Sequence, residues 1–288
     1  IILAAGEGKR MKSKLPKVLH KVQGKPMVKH VIDMAKNAGA DDICVVIGHG
    51  GDAVKAALED ENVKFAIQEK QLGTGHAVMQ AGDFIEDNAD ILVLYGDTPL
   101  VTPETVGKLL DFHRTEENSI SIISAIVDDP TGYGHIIRDE NGAFLKNVEH
   151  KDADDIEKAV KEINTGIYCF RGEALKKGLS MLKNDNAQGE YYLPDTLEIV
   201  LKNGGKVNAM AADSAEEFSG VNSRIQLAEA EAYMRKRVNR KYMDMGVTMI
   251  DPERTYIEDG AVIGCDTVLL PGVVIEGNTV IGEDCIVG

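Results

Sequence analysis

Residues 3–17 read LAAGEGKRMKSKLPK, which sets Lys9, Arg10, Lys12, Lys14 and Lys17 around the small residues Ala4, Ala5, Gly6 and Gly8. Small residues let a ligand approach the backbone closely, so that N–H groups can point at anionic oxygens. In a chain of 288 residues with a formal net charge of −15, this local excess of cations stands out. It reads as a phosphate cradle with mobile cationic arms, or as an ordinary basic turn. The Walker spacing is absent, and Met11 stands where the dinucleotide fingerprint needs a third small residue. The second chemistry-bearing residue is Asp97, in YGDTPL directly after the apolar run 91–95. At the carboxyl end of a parallel strand an Asp is placed to hold a divalent metal against phosphates, or to cap the next turn.

Other strings offer polar edges. QLGTGHA (71–77) is either a plain strand-to-helix connection or a shelf on which a nucleobase lies against the backbone. DPTGYGHI, VEHKD, EINTGIY and FSGVNSR each put a Gly, Glu or Asn where a sugar hydroxyl or acetamide could be hydrogen-bonded; each alone also reads as a turn. The seven histidines show neither metal spacing nor a Ser–His–Asp pattern. Cys44, Cys169, Cys265 and Cys285 form no ligand pair and read as buried or inert thiols of a reducing cytoplasm. A phosphate cradle with a metal-binding Asp implies phosphoryl-group electrostatics rather than a covalent nucleophile.

The elements that must position these residues follow from periodicity. Hydrophobic content of 43% and charged content of 27% belong to a soluble globular chain of one large domain or two. The acidic balance argues against a nucleic-acid surface, and no apolar run reaches membrane-span length; no secretory signal precedes the first strand. Strand and helix patterns alternate through residue 110, which predicts an α/β fold with a parallel sheet and crossover helices. A hairpin is expected around Asn141-Gly142, with a further strand over 164–170 and helices over 173–181 and 195–201. Residues 221–245 form a long polar helix with Ile225, Leu227, Ala230, Tyr233 and Met234 as its apolar residues, an arm between domains. Then Ile257, Ile263, Leu269, Ile275, Ile281 and Val287 recur every six residues, the signature of a hexapeptide β-helix. Counted from Ile257, these repeats complete fewer than two three-sided coils. The expected division is 1–220, 221–250 and 251–288.

LAAGEGKRM, LPKVLH, GHGGD, QLGTGHA, LYGDTPL, DPTGYGHI, VEHKDA, EINTGIY, NAQGEYY and GVNSR occur in that order before the hexapeptides. The series resembles the sugar-nucleotide pyrophosphorylases. Among them it is similar to the bacterial bifunctional N-acetylglucosamine-1-phosphate uridyltransferase/glucosamine-1-phosphate acetyltransferase family, which makes UDP-N-acetylglucosamine for cell-wall precursors. The resemblance implies a Rossmann-like nucleotide-diphospho-sugar transferase domain, a helical arm and the start of a left-handed parallel β-helix. It implies that Leu3, Ala4, Ala5, Gly6, Tyr95 and Gly96 border the nucleotide, that Gln68, Gly73 and Thr74 recognise uracil, and that Arg10 and Lys17 bind the triphosphate. Asp97 and Asn222 would hold Mg2+, while Gly134, Glu149 and Asn164 would contact the sugar and its N-acetyl group. Arg10, Lys17 and Asp97 would form the catalytic set, with UTP, N-acetylglucosamine 1-phosphate and pyrophosphate as the reacting molecules. Pro194 departs from the pattern at a position where a polar residue is expected, and no role is assigned to it. The family also implies a homotrimer built through the β-helix, and an acetyl-CoA site made by later coils, so that the present chain is expected to transfer uridylyl but not acetyl groups. The alternatives are a pyrophosphorylase for another sugar or base, and a regulatory subunit of the same fold without catalysis.

Overall fold

Alternate residues of the first strand face different cores in the computed structural model, which describes every residue except Ala187. In chain order come β1 (Ile2–Ala4), the hairpin β2 (Lys21–Val22) and β3 (Lys25–Pro26), α1 (Met27–Asn37), β4 (Cys44–Ile47), α2 (Gly51–Ala57), β5 (Lys64–Ile67), α3 (Thr74–Gln80), β6 (Asp90–Tyr95), α4 (Pro103–Thr115) and β7 (Ile120–Ile126). Ile2 and Ala4 join a core with Val28, Val31 and Ile32 of α1 and Leu109 of α4. Leu3 joins the opposite core with Val78 of α3. This period-two split on strands buried on both faces makes a three-layer α/β domain. Helix α4 opens as the Thr102-Pro103 pair predicts, with the Thr102 side chain accepting from the Thr105 amide.

The second half supplies β8 (Gly134–Arg138), β9 (Phe144–Glu149), α5 (Asp155–Lys158), β10 (Glu162–Arg171), α6 (Gly172–Met181), α7 (Asp195–Lys202) and β11 (Val207–Ala211). The main sheet runs β11-β7-β10-β6-β1-β4-β5. It is mixed rather than wholly parallel, because β10 lies antiparallel to both β6 and β7. The reason is the connection: between β7 and β10 the chain makes a hairpin, β8–β9, instead of a crossover helix, so β10 can return antiparallel. The Asn141-Gly142 turn closes that hairpin, with Asp139 Oδ1 accepting from the amides of Asn141 and Ala143.

Helix α8 (Arg224–Asp244) packs at both of its ends. Its Ala230 and Met234 pack with Val22, Met27 and Leu100 of the first domain, and its Tyr242 packs into the core of the β-helix. Ile225, read above as one of its apolar residues, is 73% exposed, because the packed stripe runs through Ala230 and Met234 and leaves Ile225 on the open side.

The solenoid consists of β12 (Thr248–Met249), β13 (Tyr256–Ile257), β14 (Val262–Ile263), β15 (Val268–Leu269), β16 (Val274–Ile275), β17 (Val280–Ile281) and β18 (Ile286–Val287). Parallel pairing stacks β12-β15-β18 on one side, β13-β16 on the second and β14-β17 on the third. The coils therefore begin at Thr248, and they form two full turns plus one strand rather than fewer than two. The six-residue pattern misses the first rung because a short 3-10 turn, Pro252–Arg254, lengthens the corner between β12 and β13.

Candidate active site

The carboxyl ends of β1 and β6 lie side by side and parallel, with Leu3 opposite Tyr95. Ligands of open α/β sheets bind outside such strand ends. After β1 the chain turns at Gly8, whose φ of +62° is a left-handed conformation; a Cβ there would also stand 2.7 Å from Lys17 Cβ. That turn brings the 3-10 segment Lys9–Met11 past Lys17, with Met11 buried beneath it and Arg10 exposed above. Among the described residues Arg10 has no ion-pair partner. Lys17 opens a second 3-10 turn behind Pro16, and its side chain is only 15% exposed. Its ammonium group pairs with Asp97 Oδ2 and donates to Asn222 Oδ1 at 2.8 Å. Asn222 is held by the loop that precedes α8: the Val221 amide donates to the Asp97 carbonyl at 2.9 Å, and the Asn222 amide to Gln226 Oε1 at 2.9 Å.

Thus two hard oxygen donors, one carboxylate and one amide, already converge on a cation. Among the described residues no group of three or more His, Cys, Asp or Glu could hold a metal. Two protein oxygens suit Mg2+, which keeps several waters and takes the rest of its shell from substrate phosphates. The residues present fit that ion.

The sugar-side strings meet across the β8–β9 hairpin and β10. A bulge in β10 between Asn164 and Tyr168 re-aims Asn164. Asn164 Nδ2 donates to Tyr168 Oη at 2.9 Å and to Asn147 Oδ1 at 3.2 Å, and its Oδ1 accepts from the Gly166 amide. Asn147 continues the chain of bonds to Glu149 Oε1 at 3.4 Å, and a Cβ at Gly134 would strike Asn147 Oδ1 at 2.6 Å. Burial pushes the Glu149 carboxyl above its ordinary range, and the nearby Asp152 adds to the effect.

One cleft of about 730 Å³ collects these residues. Its walls include Leu3, Ala4, Ala5, Gly6, Arg10 and Lys17 on one side and Gln68, Gly73, Thr74 and Tyr95 on another. Asp97 and Asn222 sit between them, and Gly134, Glu149 and Asn164 form the far end. Gly96 is not on the wall; it is packed behind it, where a Cβ would lie 3.2 Å from Val18 Cγ1. Sequence reasoning passed over Thr98, Tyr133, Tyr168, Glu190 and Gln226, and assigned nothing to Pro194; all six line the cleft. Gln226 had a legible signal: Ser223 caps α8 and Gln226 follows three residues later, the spacing of a capping box. A smaller cavity of about 440 Å³ lies at the opposite end of the sheet, around Ile1 and Asp90.

A cationic glycine loop and a carboxylate at neighbouring parallel strand ends, with a second oxygen from the loop before α8, define a nucleotidyltransferase type of site. Residues 1–152 match the model of the MobA-like NTP transferase domain, and the chain belongs to that family. Across its whole length it is 55% identical to the bifunctional protein GlmU of Caldanaerobacter subterraneus subsp. tengcongensis, and 53% identical to that of Thermoanaerobacter pseudethanolicus. The chain spans 63% of the length of either relative. A solved structure described as a glucose-1-phosphate thymidylyltransferase of Bacillus anthracis superposes with a TM-score of 0.66 at 22% identity. That match covers 81% of this chain and 93% of the other, and shows a shared fold. No helix among the described residues is long and apolar enough to cross a membrane.

Proposed function

We propose that the chain transfers the uridylyl group of UTP to N-acetylglucosamine 1-phosphate, releasing pyrophosphate and forming UDP-N-acetylglucosamine. The observation that carries this reading is the Lys17–Asp97–Asn222 cluster, set in one cleft between the Gln68–Thr74 end and the Glu149–Asn164 end. An oxygen of the sugar phosphate attacks the α-phosphorus of UTP, and the bond from that phosphorus to the α–β bridging oxygen breaks in line, its electron pair leaving with pyrophosphate. No general base is required, since the attacking phosphate oxygen is already ionised at neutral pH. Both reactants are anions, so the barrier is dominated by repulsion and positioning. Lys17 and Arg10 supply positive charge to the triphosphate, and small residues at 4–6 let it approach the backbone. Asp97 and Asn222 would hold Mg2+, which when bound neutralises phosphate charge and favours pyrophosphate as a leaving group. Glu149 and Asn164 offer an acceptor and an amide to the sugar hydroxyls and the N-acetyl group.

The test is pyrophosphate release over a small panel of sugar phosphates and nucleotides. Release is expected with UTP only when N-acetylglucosamine 1-phosphate and Mg2+ are both present. Equal or better turnover of dTTP with glucose 1-phosphate would overturn the reading.

A further inference from the structure

Gln68 follows β5, is 4% exposed and lines the cleft. Its Nε2 lies 3.1 Å from the Gly73 carbonyl oxygen and 3.0 Å from His76 Nδ1. A carbonyl can only accept, so the nitrogen end of the amide must face Gly73. The second N–H then points at His76 Nδ1, which must be the unprotonated ring nitrogen. Gln80 Nε2 approaches the other ring nitrogen at 3.3 Å, but Gln80 is exposed and already donates to the His76 carbonyl. Buried Gln68 has the stronger claim on the ring's one acceptor. The His76 ring stacks on Tyr191 with centroids 6.3 Å apart, and it does not line the cleft. With both N–H groups engaged, Gln68 Oε1 has no partner among the described residues and stands as an acceptor toward the cleft.

We infer that His76 is a positioning residue for nucleobase choice: it fixes the Gln68 amide so that an oxygen, not an N–H, meets the base. The inference rests on the nucleotide-binding reading above. A base that carries an N–H between two carbonyl groups, as uracil does, satisfies that oxygen. Cytosine presents a ring lone pair at the same edge and is opposed lone pair to lone pair. A site built to hydrogen-bond one group rejects the analogue that lacks it, because a buried polar atom is left unpaired. Losing His76 frees one Gln68 N–H, which can then turn toward the cleft and donate to the cytosine ring nitrogen.

The experiment measures kcat and KM for UTP and CTP at saturating N-acetylglucosamine 1-phosphate, calorimetric binding of both nucleotides, and melting temperature. His76→Phe keeps a ring against Tyr191 and removes the acceptor. It is expected to raise KM for UTP about tenfold with kcat little changed, and to lower the UTP-over-CTP ratio by about tenfold. His76→Asn places Oδ1 near the original Nδ1 and should restore the ratio to within about threefold. Gln68→Leu should lose the same discrimination, with no further loss when combined with His76→Phe. An unchanged ratio in His76→Phe, or failure of His76→Asn to restore it in a protein that melts normally, overturns the inference. Wild-type protein that binds CTP as well as UTP also overturns the inference, whereas wild-type protein that binds neither overturns the nucleotide-binding reading on which it rests.

Discussion

At the scale of single residues, charge placement decides what the cleft can do. Lys17 is mostly buried and bridges two oxygens that no other cationic side chain among the described residues reaches. Lys17→Ala should therefore lower kcat/KM at least a hundredfold, about 3 kcal/mol, as loss of one preorganised electrostatic group usually does. Steady-state pyrophosphate release checks this, and near-normal turnover would refute the phosphate clamp. His113 makes a different prediction. It is fully buried, its Nδ1 is 2.9 Å from Ser121 Oγ, and its Nε2 stops 3.7 Å from Asp90 Oδ1, too far to hydrogen-bond. Burial pushes the imidazole down to about 4, more than Asp90 raises it, with Arg171 and Arg114 also opposing its charge. The folded state thus binds fewer protons than the unfolded state between pH 6.5 and about 4. The stability is fully present above pH 6.5 and is lost as pH falls through that window, by about 3 kcal/mol. His113→Asn retains a partner for Ser121 without the titration. Its melting temperature should fall less between pH 7 and pH 4 than that of the parent, and parallel curves would exclude His113 as the titrating group.

At the scale of elements, what the sequence disclosed depended on whether a signal was local. The hexapeptide leaders are local: Ile257, Ile263, Leu269 and Ile275 are all under 4% exposed, as their spacing requires. The antiparallel course of β10 was not legible, because strand direction depends on what the chain does over the thirty-odd residues before it. The arm helix was legible as a helix with Ala230 and Met234 among its apolar residues, but which of those residues pack was not. Its buried face holds Asn239, which donates to the carbonyls of Pro252 and Thr255, a role that an apolar pattern cannot disclose. For the site, LAAGEGKRM and YGDTPL marked the two strand ends, but the bonds from Asn164 to Asn147 and from Gln68 to His76 join residues that only the folded backbone aligns. The solenoid supplies its own prediction. Leu269 is fully buried on the middle strand of the β12-β15-β18 stack, whereas Val287 on the last strand is half-open. Leu269→Ala should cost about 2–5 kcal/mol and Val287→Ala well under half of that. Thermal or urea unfolding of both variants measures the contrast, and equal losses would contradict a core that weakens along the stack.

At the scale of the whole molecule, the first domain and the solenoid are tied through α8 and the β2–β3 hairpin. Gln23 is bound twice by Glu231, through its amide at 2.8 Å and its side chain at 2.6 Å; Arg237 donates to the Leu100 carbonyl; Lys25 pairs with Asp259 of the first coil. Tyr242 donates to the Ala261 carbonyl from the other end of the helix. Units joined this way should unfold together, so calorimetry is expected to show one transition whose van't Hoff and calorimetric enthalpies agree. Two resolved transitions would mean that α8 is a hinge between independent bodies. The stacking of the short strands also makes the solenoid a counter. Val268 lies over Thr248, Val274 over Tyr256 and Val280 over Val262. Every rung but the first therefore sits one fixed interval above its partner, and the surplus of the first is taken up at the Pro252–Arg254 corner. Lengthening a corner, as this chain has done once, leaves every later side chain on its own wall. Inserting a single hexapeptide would instead turn the entire remainder of the stack by one side of the triangle, so that a surface facing one neighbour would face another. In such a molecule length changes are tolerated by phase rather than by size: a small bulge or a whole coil is silent, and anything between the two rewrites which residues look outward in which direction.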